Sequence, residues 1–187
     1  MHNAASRPIS RRNVLTWGGA TGAALATLAP VSAFARVYGG KDRSLSFYNI
    51  HTGETLKTIY WANGSYIEGA RKDIEWILRD WRTNEVRAMD PGLFDVLHDL
   101  RDAMESREAF HIISGYRSPA TNAMLHNRSS GVATKSLHMK GMATDIALPG
   151  RDLAKLRDAA KSLRRGGVGY YPKPGFVHVD TGRVRYW

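Results

Sequence analysis

Two short β-prone runs, Ser44–Ile50 and Thr55–Trp61, flank His51-Thr52-Gly53-Glu54. Such runs around a glycine-bearing turn predict a β-hairpin, ended by Ala62-Asn63-Gly64. The period then lengthens. Ile67, Ala70, Ile74, Ile77, Leu78 and Trp81 recur at three- and four-residue steps, the pattern of an amphipathic helix. Asp90-Pro91 reads as an N-cap followed by proline at the first helical position, and Leu93, Leu97, Leu100 and Met104 supply one apolar face for the helix that follows. Ala109–Ser114 predicts a short strand, Pro119–His126 a helix, 127–135 a polar loop and Met142–Leu148 a second strand. Leu153, Leu156, Ala160 and Leu163 mark a last helix stopped by Gly166-Gly167. Val168–Tyr171 and Phe176–Asp180 predict a second hairpin, with Val184–Trp187 at an edge. Helices and strands do not follow a regular βαβ alternation. The expected class is therefore α+β, a small, mainly antiparallel sheet flanked by helices.

The N-terminal stretch has a different character. Residues 1–35 carry Arg7, Arg11 and Arg12 and no acidic residue. Ser10-Arg11-Arg12-Asn13-Val14-Leu15-Thr16 has paired arginines, a mildly apolar run from Trp17 to about Ala29 follows, and Pro30 precedes Ala33-Phe34-Ala35. That order is a twin-arginine export signal with a small-x-small cleavage site, and the apolar run falls short of the ~20 residues a bilayer span needs. The alternative is an uncleaved N-terminal anchor. The expected division is 1–35 as signal and 36–187 as one domain in the periplasm, with no stable membrane span after cleavage. Roughly 150 residues remain, enough for one core without staples.

Composition narrows the chemistry. The 187 residues include no cysteine, so disulfides, thiolate nucleophiles and Cys-bound metals are excluded and any metal must be held by His, Asp or Glu. The formal net charge is +10, which favours anionic surroundings such as cell-wall polymer, membrane headgroups or nucleic acid.

Two of the seven histidines lie near acids in a patterned way, in Ser136-Leu137-His138-Met139-Lys140-Gly141-Met142-Ala143-Thr144-Asp145 and in Phe176-Val177-His178-Val179-Asp180. Alternation along a strand places His178 and Asp180 on one face, their Cα atoms about 6–7 Å apart. Asp145 shares its face with Ala143 and Ala147, which leave room beside it, and a carboxylate there is costly unless it is paired or binds a cation. His138, Asp145 and His178 fit as three ligands of a zinc with one open position, and Asp180 fits as a base for the bound water. The competing reading is a histidine that merely bonds its own neighbouring aspartate.

These segments resemble a known family. S-L-H-M-K-G-M-A-T-D is similar to the S-x-H-x-x-G-x-A-x-D signature of zinc D-Ala-D-Ala carboxypeptidases and related murein endopeptidases. Ser114-Gly115-Tyr116-Arg117-Ser118-Pro119 with Asn122 resembles the motif that precedes it, and the segments 166–171 and 176–182 resemble its closing G-G-V-G-x-Y…F-V-H-V-D-T-G. The set is typical of the exported, murein endopeptidase K-like branch and spans about residues 44–187. The resemblance implies a fold shared with the Hedgehog domain and DD-peptidases. It implies one zinc on His138, Asp145 and His178, hydrolysis of peptidoglycan stem peptides, and a substrate-facing arginine at Arg117. One departure stands out: Gly175 occupies the position where many carboxypeptidases carry a catalytic Glu. The base is then expected at Asp180, with Arg117 and the metal sharing the oxyanion charge. Ser136 is expected either to orient a ligand or to cap local backbone; Tyr170, Tyr171 and Trp187 either to line a peptide groove or to pack in the core. Two alternatives remain open: a non-catalytic, zinc-containing wall-binding module, and a polyanion binder, which the export signal and the lack of a nucleic-acid motif disfavour. A periplasmic or outer-membrane adaptor is a partner the sequence neither names nor excludes.

Overall fold

A computed structural model describes residues 42–128 and 131–187; the export signal and its cleavage site lie outside them. Strands β1 (Arg43–Asn49) and β2 (Thr55–Ala62) form the first hairpin, with Phe47 opposite Leu56. A short β3 (Ser65–Tyr66) folds back on β2 and leads into helix α1 (Glu68–Ile77). Helix α2 (Pro91–Ala103) begins where Asp90 caps it, its carboxylate accepting from the Gly92 N–H at 2.9 Å. The chain continues through β4 (Phe110–Ser114), α3 (Pro119–Arg128), a 3-10 turn (Leu137–Lys140), β5 (Ala143–Ala147) and α4 (Leu153–Leu163). It closes with β6 (Gly167–Tyr171), β7 (Phe176–Asp180) and β8 (Arg185–Tyr186).

Among the described residues eight strands join one sheet, in the order β3-β2-β1-β4-β5-β7-β6-β8. Pairing is antiparallel except for β1 with β4 and β6 with β8, so the sheet is mixed although mainly antiparallel. The β1–β4 parallel pair follows from the helical crossover between them, since parallel neighbours need a long connection. Helix α1 packs on β2, α2 on β1, and α4 on β6 and β7. Leu45 and Phe47 from the sheet meet Ile74, Leu93, Phe94, Leu97 and Leu100 in the core, where each fully buried side chain contributes about 1.5–3 kcal/mol. Ile146, Val177, Val179 and Leu156 extend that core under the later strands. With those alternate positions committed to the core, the intervening residues of β5 and β7 face the other side.

Three features differ from the sequence expectation. The helix expected through Trp81 ends at Ile77, because the next residues are engaged elsewhere. The Leu78 carbonyl accepts the Tyr116 N–H at 2.7 Å, and buried Asp80 accepts the Ser118 N–H at 2.9 Å. Tertiary hydrogen bonds thus override helical periodicity there, and they seat the loop that carries Arg117. The two-residue β3 and the 3-10 turn carry too few residues for any period to show.

Candidate metal centre

Sheet register assembles the site. Across β4, β5, β7 and β6 the directly paired residues Ser114, Asp145, His178 and Gly169 form one row. His138 comes from outside the sheet. Ser136 caps its 3-10 turn, Oγ accepting the His138 N–H at 3.3 Å, and Gly141 ends it at φ 69°, a left-handed conformation suited to glycine. A Cβ on Gly141 would also collide with the Ala88 carbonyl, so no other residue lets the turn lie this close. His138, Asp145 and His178 are all buried, and one ligand atom from each falls within a common 4.8 Å limit.

The hydrogen bonds around the two imidazoles define which nitrogens face inward. His138 Nδ1 lies 2.7 Å from the Gly115 carbonyl oxygen, so Nδ1–H donates and Nε2 keeps its lone pair. His178 Nε2 lies 2.9 Å from Asp180 Oδ2, so Nε2–H donates and Nδ1 keeps its lone pair. These inner nitrogens are 3.1 Å apart, and Asp145 Oδ1 lies 3.2 Å from the first and 2.9 Å from the second. Three such acceptors crowded together repel one another unless a proton or a metal cation joins them. A tetrahedral metal with bonds of about 2.0–2.1 Å sets its ligand atoms about 3.3 Å apart, close to these separations. The donor set and its spacing therefore fit a divalent cation.

Titration follows the same logic. Burial disfavours the charged form of Asp145, but the two imidazoles outweigh it and hold the carboxyl far below its ordinary range. Burial pushes His138 down. Burial also opposes protonation of His178, yet its hydrogen bonds with Asp145 and Asp180 raise it to about 9. In the metal-free chain a proton on His178 sits where a cation would otherwise neutralise the carboxylates.

Asp180 occupies a different place from the one its role as base requires. It lies behind His178, on the ring edge away from Asp145. Its Oδ1 accepts the Gly167 N–H (3.0 Å), the Gly182 N–H (2.8 Å) and Arg185 Nη1 (3.0 Å). Its Oδ2 accepts from His178 Nε2 and from Arg185 Nη2 at 2.7 Å. Burial opposes its ionisation, and the His178, Arg185 and backbone donors together keep its pKa low. The carboxylate is saturated and absent from the cavity wall. Gly175 supplies no substitute, being the left-handed residue of the β6–β7 turn at φ 79°. Among the described residues, Asp145 is the one carboxylate lining the cavity, and the remaining segments contain no Asp or Glu.

That cavity, of about 510 Å³, opens over the His–Asp–His cluster. Arg117 lines it, buried, with only long contacts: Asn122 and Ser114 at 3.4 Å and Asp145 Oδ2 at 3.5 Å. Its Nε has no partner among the described residues. Burial lowers the Arg117 pKa, with Asp145 partly offsetting it. Tyr171 and Trp187 form part of the wall, the Trp187 indole N–H donating to the Tyr171 hydroxyl at 2.7 Å, whereas Tyr170 packs against the core. Arg185 also lines the cavity, although a lone arginine in its segment carries no spacing signal in the sequence.

Fold and site together define an α+β protein with a buried His–Asp–His cluster, able to hold a divalent cation, under an open cleft. A family model described as Peptidoglycan L,D-endopeptidase MepK matches residues 37–187, and the chain belongs to that family. It is 44% identical over 179 residues to the peptidoglycan L,D-endopeptidase MepK of Escherichia coli (strain K12), covering 95% of this chain and 97% of that one. The Shigella flexneri protein of the same description gives the same values. A probable peptidoglycan L,D-endopeptidase MepK from Haemophilus influenzae is 42% identical over 178 residues, with 94% and 96% covered. No solved structure matches the chain. Residues 8–27 match the twin-arginine translocation signal. The chain is thus a murein endopeptidase with a periplasmic address. Among the described residues no helix is long and apolar enough to cross a membrane.

Proposed function

We propose that this chain is a zinc-dependent endopeptidase that cuts L,D peptide bonds between the stem peptides of peptidoglycan, with one zinc held by His138, Asp145 and His178. The observation that carries this reading is the pair of inner imidazole nitrogens, each made a lone-pair donor by a partner on its outer edge and each within 3.2 Å of Asp145 Oδ1. Zinc, when bound, supplies a Lewis acid and a water whose pKa falls to about 7, so a second carboxylate base is not required at neutral pH.

The chain's own groups do the rest. Arg117 presents its guanidinium to the carbonyl oxygen of the scissile bond, where a preorganised donor contributes about 3–4 kcal/mol to the transition state. Asp180 is a positioning residue: it accepts from His178 Nε2–H and so turns Nδ1 toward the metal. Tyr171 and Trp187 form a wall for the stem peptide. Cleavage after Ala35 releases a chain that begins at Arg36.

The test is digestion of cross-linked sacculi, with products identified by mass. Chelation should abolish release of the L,D-cleaved products and added zinc should restore it. A zinc-containing wall-binding module would bind the sacculi and release nothing. Undiminished cleavage by chelated protein would contradict the zinc reading.

A further inference from the structure

Beyond the three ligands, the structure assigns Arg185 as the residue that sets how tightly the site holds its metal, acting through Asp180 on His178. This rests on the zinc reading above.

Arg185 grips Asp180 with both terminal nitrogens, Nη1 to Oδ1 at 3.0 Å and Nη2 to Oδ2 at 2.7 Å. A two-point guanidinium–carboxylate contact fixes the carboxylate in rotation as well as position. The fixed Oδ2 is the atom that receives His178 Nε2–H at 2.9 Å. A ligand histidine whose outer N–H is held in this way keeps its ring orientation and its tautomer before any metal arrives.

Three independent features show that the chain is built around this contact. The two-residue β8 pairs with β6 so that Arg185 stands beside Gly167, and a Cβ on Gly167 would collide with Arg185 Nη1 and with Asp180 Oδ2 at 2.5 Å. A Cβ on Gly182 would come within 3.0 Å of Asp180 Oδ1. The Trp187 ring covers the guanidinium at 4.9 Å, while its indole lies over Gly169 and 5.2 Å from the His178 ring. Two glycines thus open the space, and Trp187 covers one face of a guanidinium whose side chain stays 29% exposed while Asp180 is fully enclosed. The Asp180 carboxylate has no exposed side-chain surface, so Arg185 is its matching charge. Lysine offers a point charge without the fork and matches this geometry poorly.

The experiment measures zinc dissociation constants by competition with a chromophoric chelator on the folded wild-type chain, Arg185→Met, Arg185→Lys, Asp180→Asn and the Arg185→Met/Asp180→Asn double variant. Apo-protein melting is recorded in parallel. Arg185→Met should weaken zinc binding roughly tenfold to hundredfold. Arg185→Lys should recover only part of that loss. The double variant should bind zinc no more weakly than Asp180→Asn alone, because the arginine acts through the aspartate. Its melting temperature should rise above that of Arg185→Met, since no buried charge is left unpaired. That separates metal positioning from simple charge balance. Wild-type zinc affinity in Arg185→Met, or fully additive losses in the double variant, overturns the assignment. If the wild-type chain itself takes up no zinc, the zinc reading fails and this inference falls with it.

Discussion

Two aspartate clusters of the molecule stand in contrast, part-buried Asp95 beneath the early strands and buried Asp145 among the later ones. Asp95 receives Arg43 Nη1 and the Tyr60 hydroxyl at 2.9 Å and the Tyr66 hydroxyl at 2.8 Å. Every neighbour there brings a hydrogen, so the cluster is complete as a piece of protein. Asp145 meets two imidazole nitrogens whose hydrogens are committed elsewhere, to Gly115 and Asp180. Its imidazole neighbours bring lone pairs, and the set is completed by a proton on His178 in the metal-free chain or by a metal cation. Burial and acid–base composition alone do not separate a structural cluster from a metal site. The direction in which the partners' hydrogens point does.

Three substitutions probe that contrast, beginning with the largest effect. His178→Ala should drop sacculus cleavage to background while far-UV circular dichroism stays native; retained cleavage would show that the Asp145 cluster is as self-sufficient as the Asp95 one. Arg117→Ala should lower kcat about 10²- to 10³-fold with metal content unchanged, the effect of losing one preorganised donor. A change confined to KM would leave Arg117 a binding residue instead. The smallest effect concerns the closed cluster. Burial and Asp95 raise the Tyr66 pKa to about 12 in the folded chain, above the ~10 of an unfolded tyrosine. The folded state therefore disfavours the phenolate. Its contribution is intact below pH ~10 and is lost as pH rises through about 12. Tyr66→Phe should flatten that alkaline fall in denaturant midpoint and leave cleavage at neutral pH unchanged. An unaltered alkaline limb would mean Tyr66 does not report on the Asp95 cluster.

How much of this was written in the sequence depends on the range of the interaction. Alternation along a strand is local, so the shared face of His178 and Asp180 and the small-residue surroundings of Asp145 were legible, as was the Asp90-Pro91 helix start. Alternation does not say which edge of an imidazole a neighbour meets; it puts Asp180 beside the ligand His178 but does not show that it lies behind the ring. Arg185 joins the site only because β8 pairs with β6, a parallel contact no local pattern announces. The early end of α1 had the same origin, in hydrogen bonds between residues distant in sequence.

The central claim about this molecule is that three groups hold one ion. Metal analysis of purified wild-type and His138→Ala chains, dialysed against the same trace zinc, tests this most directly. One zinc per wild-type chain and none per His138→Ala chain is the predicted outcome. A wild-type chain without metal, or a variant that retains the full complement, would contradict it.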